Sequence, residues 1–169
     1  RPARIGALLN GYPFADSSVV VDVGGGRGHL LAAVLQRHPG LKGILFDLPI
    51  VVADAVSFLG KLDIHDRYTC ESGSFLRAVP SGDTYLLSDI LHDWPDDKCV
   101  DILRACRAAM SARGRLLVLE HLLVPGATPA QVAWLDLQMM VEFGEGRQRS
   151  VEDLTRLFEV ASLELEQVI

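Results

Sequence analysis

The amino-acid sequence predicts an α/β fold, a doubly wound and mostly parallel sheet with helices on both faces. The first observation is that β-branched and apolar runs alternate with stretches of helical periodicity, a pattern typical of βαβ units. The second is a glycine-rich segment, residues 22–28, between the first such run and the first helical stretch. Right-handed crossovers between parallel strands then place helices on both faces of the sheet.

Six strands and five helices are predicted in order along the chain. The first strand is β-branched and ends at Gly24, Pro49 and Pro95 suit the first turn of a helix, and Gly114 ends a helical stretch. The strands are predicted over 18–23, 42–47, 68–72, 84–88, 116–119 and 163–169. The helices are predicted over 29–37, 49–59, 95–110, 130–142 and 150–161.

Length and charge limit the class of protein. A chain of 169 residues, 49% of them hydrophobic, is long enough for one domain with a buried core. The net charge of −6 argues against a nucleic-acid partner, because such proteins need a concentrated basic face. No apolar run approaches the ~20 residues that cross a bilayer, so no membrane partner is expected. The three cysteines lack disulfide or metal-binding spacing, which predicts reduced thiols in a cytoplasmic protein and no metal cluster.

The sharpest feature is the segment Asp22-Val23-Gly24-Gly25-Gly26-Arg27-Gly28. Glycine is needed where a ligand approaches the backbone closely, so we expect Gly24, Gly26 and Gly28 to contact a cofactor. The helix that follows would offer N–H groups to a carboxylate or phosphate. Asp47, at the end of the second predicted strand, is placed to accept two hydrogen bonds from a ribose diol. Together these residues predict a site for an adenosine-containing cofactor.

The spacing of the glycines distinguishes between adenosine cofactors. Dinucleotide-binding loops have the pattern G-x-G-x-x-G, whereas position 29 here is His and the pattern is G-x-G-x-G. Asp22, two residues before the first glycine, suits a cofactor that has a cationic amino group. The combination resembles motif I of the class I S-adenosylmethionine-dependent methyltransferases. The structural alternative is that Asp22 caps a turn and that the glycines only form a tight bend.

A histidine and a glutamate follow two successive predicted strands. His92 comes after the fourth strand and Glu120 directly after the fifth. Because ligands bind beyond the carboxyl ends of parallel strands, we expect His92 at the edge where chemistry takes place. Histidine is the usual general base near neutral pH, and a carboxylate partner would fix its tautomer. The alternative is a purely structural histidine, the interpretation that we favour for His38 and His65.

Longer motifs carry a more specific resemblance. Phe46-Asp47-Leu48-Pro49, Leu91-His92-Asp93-Trp94-Pro95-Asp96 and Gly114-Arg115-Leu116-Leu117-Val118-Leu119-Glu120 follow the glycine segment in that order. From about residue 10 to its end, the sequence resembles the plant-type and bacterial small-molecule O-methyltransferases. The resemblance implies a Rossmann-like, S-adenosyl-L-methionine-binding catalytic domain over residues 1–169. It also implies S-adenosyl-L-homocysteine as the product and a hydroxylated aromatic or polyketide-like molecule as the methyl acceptor.

The same resemblance implies roles for individual residues. His92 would remove the acceptor proton, and Glu120 would hold His92 in place. Met139 and Met140 would line the acceptor pocket, although ordinary core methionines have the same spacing. The implied cofactor-binding residues are Asp22, Gly24, Gly26, Gly28, Asp47, Leu48, Ser74, Phe75, Ser88, Asp93 and Trp94.

Three positions depart from the family pattern. Ser74 stands where the family has an aspartate that reaches the adenine amino group, and Ser88 stands where it commonly has a lysine. Gln148 replaces a second carboxylate beside the catalytic histidine. Glutamine can position His92 but cannot raise its basicity as an anion does. These departures leave two further hypotheses open, a relative that uses the cofactor for hydroxylation or decarboxylation and a cofactor-binding module without catalysis.

The resemblance also bears on the extent of the protein. The N-terminal dimerisation domain and the last strand of the family have no counterpart within residues 1–169. We therefore expect the full-length protein to be a homodimer. We also expect the 169 residues alone to be weakly active, because the missing domain closes part of the acceptor pocket.

Overall fold

The computed structural model describes residues 2–124, 126–130, 132, 134, 136 and 146–169. Within these residues, five strands form a parallel sheet in the order β3-β2-β1-β4-β5. The strands are β1 (Val19–Val23), β2 (Lys42–Asp47), β3 (Tyr68–Ser72), β4 (Gly82–Ser88) and β5 (Met110–Leu119). The helices are α1 (Pro2–Gly11), α2 (His29–Arg37), α3 (Pro49–Leu59), α4 (Asp96–Ala109) and α5 (Val151–Val160).

The two central strands, β1 and β4, bury side chains on both faces of the sheet. Val21 and Leu87 belong to the core that includes residues of α4 and α5. Val20 and Leu86 belong to the opposite core, which includes residues of α2 and α3. Successive residues of a strand point to opposite faces, so a strand covered on both sides must be apolar throughout. This requirement explains why the sequence of β1 is almost entirely valine.

The strand order places a switch point between β1 and β4. The chain moves from β1 to β2 and β3 on one side, and then adds β4 and β5 on the other side of β1. Connections that leave β1 and β4 in opposite directions open a crevice at their carboxyl ends. The residues after β1 and β4 therefore lie on either side of this crevice.

Local sequence signals fix where the helices begin. α3 begins at Pro49, and α4 begins at Asp96 directly after Pro95. α5 begins with a capping box, in which the Ser150 side chain accepts the Asp153 N–H at 3.2 Å and the Asp153 carboxylate accepts the Ser150 N–H at 3.1 Å. Such reciprocal bonds satisfy N–H groups that have no partner inside the helix. The helix predicted over 150–161 is therefore confirmed, with Ser150 as its N-cap.

The predicted sixth strand is wrong. Residues 163–169 form no strand, although they are described. The Leu163 N–H instead bonds to the Phe158 carbonyl and ends α5, and Glu166 pairs with Arg115 of β5 at 3.2 Å. The apolar side chains of this segment line a groove beside α1 and β5. Of these side chains, Leu163 packs against the core, whereas Leu165, Val168 and Ile169 remain exposed.

Other predicted elements differ in extent. Helix α1 was not predicted, and β5 begins at Met110, six residues before the predicted start at 116. Of the predicted helix over 130–142, Ala130, Val132, Trp134 and Asp136 are helical and the rest lies outside the described residues. All three cysteines are free thiols, as predicted. In the part of the chain that the structure describes, none of the helices is long and apolar enough to cross a membrane.

Truncating a core residue of β4 should cost far more stability than truncating an exposed one. Leu86 is fully buried, whereas Ile50 in the first turn of α3 is 81% exposed. We expect Leu86→Ala to lower the free energy of unfolding by roughly 2–5 kcal/mol, because it removes contacts and leaves a cavity. Ile50→Ala should change it by less than about 0.5 kcal/mol. Urea unfolding measures both, and equal losses would contradict this core assignment.

Candidate active site

The glycine loop joins β1 to α2 and uses its glycines for different physical reasons. Gly24, Gly26 and Gly28 have φ angles of 67°, 57° and 83°, which side chains rarely tolerate. A Cβ at Gly26 would meet no atom within 4 Å, so the loop leaves open space there. A Cβ at Gly28 would lie 2.8 Å from Leu45 and 2.9 Å from Leu59. Gly26 thus suits close approach of a ligand, and Gly28 permits close packing of α2 on the sheet.

Gly25 is a constrained position that the sequence analysis missed. A Cβ on this residue would lie 2.8 Å from the carboxylate of Asp22, whose side chain is buried. A side chain at residue 25 would therefore force the buried Asp22 carboxylate to shift. Three consecutive glycines mark this position, whereas the alternating G-x-G-x-G pattern includes only Gly24, Gly26 and Gly28.

Asp47 connects the end of β2 to the glycine loop. Its Oδ2 accepts the Gly26 N–H at 2.9 Å, and its Oδ1 accepts the Leu48 N–H at 2.7 Å. Each carboxylate oxygen has a second lone pair, so Asp47 can still accept two hydroxyl groups. The Leu48 side chain beside it is 51% exposed. A carboxylate next to an exposed apolar side chain can hold a sugar and the flat face of a base.

The remaining predicted cofactor residues lie around the same crevice. Phe75 and Trp94 pack edge to face, with ring centroids 5.8 Å apart. The Phe75 ring also comes within 3.5 Å of the position that a Cβ on Gly24 would take. Ser88 ends β4 and lines a small cavity together with Asp22 and the loop. Ser74 lies in the turn after β3, where its carbonyl accepts the Arg77 N–H at 2.9 Å.

His92 and Glu120 meet as the sequence predicts. His92 lies in the 3-10 turn Leu91–Asp93 after β4, and its Nδ1 is 2.6 Å from Glu120 Oε2. The other oxygen, Oε1, accepts the N–H groups of Ile90 and Leu91 at 3.0 and 2.8 Å. The two side chains are 13% and 5% exposed. Glu120 therefore fixes both the imidazole ring and the backbone that carries it.

The second ring nitrogen of His92 faces another carboxylate, since Nε2 lies 3.2 Å from Asp93 Oδ1. Burial lowers the pKa of His92, but the hydrogen bonds and negative charges of Asp93 and Glu120 outweigh it and raise the pKa to about 10. An imidazole between two carboxylates is stabilised in its charged form.

Arg149 is a site residue whose role the sequence did not predict. Its side chain is 2% exposed and donates to the carbonyls of Leu91 and Trp94, both at 2.7 Å. It also pairs with Asp96 Oδ1 through Nε at 3.0 Å and Nη2 at 2.7 Å. The guanidinium therefore holds the turn on both sides of His92. No spacing or periodicity in the sequence links Arg149 to this turn.

Gln148 and the methionines complete the predicted set. Gln148 is buried and lines a narrow cleft together with His92 and Glu120. Its N–H donates to Asp136 at 2.7 Å, and its Oε1 has no hydrogen-bond partner among the described residues. Met139 and Met140 lie outside the described residues.

One cluster of potential metal ligands was not expected. Ligand atoms of Asp89, His92 and Glu120 lie within 4.8 Å of one another. In this arrangement Asp89 is paired with Arg4, while Glu120 holds His92 and two backbone N–H groups. A metal ion would have to displace these partners, so the cluster is explained by the contacts already made.

The fold and the residues at this edge define an α/β protein with a ligand site at the carboxyl edge of its parallel sheet. In it, a glycine loop, a strand-end carboxylate and a histidine held by glutamate meet at the carboxyl ends of β1, β2, β4 and β5. The chain belongs to the family of O-methyltransferase domains, whose pattern matches residues 4–164.

Known relatives extend this assignment. The chain is 40% identical over 164 residues to the phenazine O-methyltransferase PhzM of Lysobacter antibioticus, covering 96% of this chain and 48% of that protein. It is 46% identical over 150 residues to the O-demethylpuromycin-O-methyltransferase of Streptomyces alboniger, covering 86% and 40%. The chain thus spans half or less of the length of these relatives.

A solved structure shows the same fold. The O-methyltransferase NcsB1 from neocarzinostatin biosynthesis, in complex with S-adenosylmethionine and 2-hydroxy-5-methyl naphthoic acid, superposes with a TM-score of 0.86. The two chains are 34% identical, and the match covers 96% of this chain and 48% of NcsB1.

Removing the Arg149 clamp should destabilise the protein strongly. Arg149→Met leaves the Leu91 and Trp94 carbonyls without their buried donor, and we expect a loss of roughly 1–3 kcal/mol in the free energy of unfolding. Arg147 pairs with the same Asp96 but is 46% exposed, so Arg147→Met is the matched control and should cost under about 1 kcal/mol. Urea unfolding of both variants provides the measurement. Similar losses for the two variants would refute the clamp.

Proposed function

We propose that this chain is the catalytic domain of an S-adenosylmethionine-dependent O-methyltransferase that methylates a hydroxyl group of a small aromatic natural product. The observation that carries the proposal is the shared edge, where the Asp47-bound glycine loop and the Glu120-bound His92 lie on either side of the switch point. The first part suits an adenosine-containing cofactor, and the second suits removal of a proton. Membership in the O-methyltransferase family is consistent with both.

The residues present fit S-adenosylmethionine. Gly26 combines a positive φ with open space where a Cβ would stand. Asp47 keeps lone pairs for a ribose diol, and exposed Leu48 offers an apolar surface to adenine. Asp22 would face the amino group, and Phe75, Trp94, Asp93, Ser74 and Ser88 would surround the rest of the molecule. When bound, this cofactor supplies an electrophilic methyl group on a sulfonium.

The acceptor class is inferred from relatives. One relative is a phenazine O-methyltransferase, another acts on O-demethylpuromycin, and NcsB1 was solved with a hydroxylated naphthoic acid. Each of these substrates is a small molecule that contains an aromatic ring and carries a hydroxyl group. We infer the same acceptor chemistry here, with Met139 and Met140 as pocket residues.

His92 is the proposed general base. Glu120 accepts the Nδ1–H and leaves Nε2 to take the proton of the acceptor hydroxyl, a role that typically increases the rate by ~10²–10⁴-fold. Asp93 Oδ1 now faces Nε2, so the hydroxyl must share or displace that contact. Because the pKa of His92 is raised to about 10, the neutral form that acts as a base increases with pH.

Gln148 would position the ring without adding a charge. It lines the cleft of His92 and Glu120, and its buried Oε1 has no partner in the described part of the chain. A neutral residue in place of a carboxylate also favours the second hypothesis, a relative that hydroxylates or decarboxylates its substrate. Product analysis by mass separates the two, because only methyl transfer adds a methyl group to the acceptor.

We also infer the wider setting of the protein from the family resemblance. The full-length protein is proposed to be a cytoplasmic homodimer that acts on small molecules. Its negative net charge supports the absence of a nucleic-acid partner.

Asp47 should be required for cofactor binding. We expect S-adenosylmethionine and S-adenosylhomocysteine to bind the purified chain in calorimetric titrations. Asp47→Ala should abolish detectable binding, since it removes the ribose acceptor and the bond that holds Gly26. Asp54→Ala changes an exposed aspartate of α3 and should bind like wild type. A folded wild-type chain that binds neither ligand would overturn the proposed function.

The catalytic step is tested in the same series with the full-length protein and phenolic acceptors. His92→Ala should bind S-adenosylmethionine like wild type but lower kcat by roughly 10²–10⁴-fold. Unchanged kcat would exclude His92 as the base, and a loss of cofactor affinity would indicate a structural role.

Asp93 should control the protonation of His92. Asp93→Asn removes one of the two anions that stabilise the imidazolium, so the pKa of His92 should fall. NMR titration of the His92 ring in the ligand-free chain measures the shift, and the acid limb of kcat/KM should move to lower pH in parallel. Asp97→Asn, an exposed neighbour, is the control. An unchanged His92 titration in Asp93→Asn would show that Glu120 alone sets the pKa.

A further inference from the structure

Arg4 of α1 reaches the carboxyl edge of the sheet. Its Nη1 and Nη2 donate to Asp89 Oδ1 and Oδ2 at 2.6 and 2.8 Å, and Nη1 also approaches the Leu119 carbonyl at 3.4 Å. Asp89 directly follows β4 and has a φ of 58°. A left-handed conformation at a residue other than glycine costs energy and is often found at functional sites. The ion pair thus fixes a side chain from α1 at the crevice.

The same arginine forms part of the wall beside the glycine loop. Arg4, Asp22, Gly24, Gly25 and Ser88 line one small cavity of about 20 Å³. This volume holds only one or two water molecules, so a ligand group that reaches the cavity comes close to its lining residues, Arg4 among them. Among the described residues that line this cavity, Arg4 is the one with a permanent positive charge.

A cation at this place suits the chemistry of an amino-acid group. Its ammonium suits the carboxylate of Asp22, but its carboxylate would be repelled by Asp22 and Asp89. Arginine is the residue best suited to bind a carboxylate, because its planar fork can donate two parallel hydrogen bonds. Asp89 takes the end of the fork, and no hydrogen bond uses Arg4 Nε within the described residues. The side edge of the guanidinium is therefore available to a second carboxylate.

We propose that Arg4 binds the α-carboxylate of the methionyl group of S-adenosylmethionine, and that Asp89 is a positioning residue that holds the guanidinium. This inference rests on the proposed function and adds a ligand residue from α1 to the cofactor site. In this arrangement Asp22 faces the ammonium of the amino-acid group, and Arg4 faces its carboxylate.

Three ligands isolate the carboxylate contact. The purified chain is titrated by calorimetry with S-adenosylmethionine, with decarboxylated S-adenosylmethionine and with 5′-methylthioadenosine, which lacks the whole amino-acid group. Arg4→Ala should weaken binding of S-adenosylmethionine by roughly 10-fold to 100-fold, the usual worth of hydrogen bonds between charged groups. It should leave the affinities for the other two ligands unchanged. Arg37→Ala, an exposed arginine of α2, is the control and should affect none of them.

The results of these titrations distinguish failure of this inference from failure of the proposed function. Equal weakening of all three ligands by Arg4→Ala would show a structural role and overturn the inference, as would unchanged binding of S-adenosylmethionine. Wild-type chain that binds none of the ligands would overturn the proposed function together with this inference. Asp89→Asn should cause a smaller loss that is again confined to S-adenosylmethionine, and a loss shared by 5′-methylthioadenosine would contradict positioning.

Discussion

The Glu120 carboxylate joins the end of β5 to the turn that follows β4. It accepts the N–H groups of Ile90 and Leu91 and contacts His92 Nδ1, so one anion fixes both a backbone segment and the side chain that it carries. Arg149 holds the same turn from the other side through the carbonyls of Leu91 and Trp94. An anion that binds N–H groups and a cation that binds carbonyls leave this turn little freedom. The position of His92 therefore depends on both residues.

The parallel sheet brings Glu120 close to the turn that follows β4. β4 and β5 run parallel with Ser88 opposite Leu119, so the next residues of both strands emerge at the same edge. β1 and β2 are in register in the same way, with Val23 opposite Phe46, which brings Asp47 to the glycine loop. The two halves of the site are thus products of strand register, and their separation is set by the single pairing of β1 with β4. The loops that follow the strands then determine only the direction of the side chains.

The sequence predicted features that depend on neighbours along the chain or on parallel strand order. α2 and α3 begin and end at the predicted residues, and the pairing of His92 with Glu120 followed from the order of the strands. The prediction of a sixth strand was wrong because an alternation of apolar and polar residues does not show whether a partner strand is present. Contacts between distant residues were also missed, since Arg4 and Asp89 are 85 positions apart and Arg149 and Leu91 are 58 apart. No periodicity or spacing links such pairs.

Charge balance explains why Gln148 is compatible with a histidine base. His92 already lies between Glu120 and Asp93, and these anions raise its pKa to about 10. A third carboxylate in the same cleft would stabilise the imidazolium further and leave still less of the neutral ring at physiological pH. A neutral amide at residue 148 can orient the ring without this effect. Gln148 is therefore compatible with a base whose two ring nitrogens already face Glu120 and Asp93.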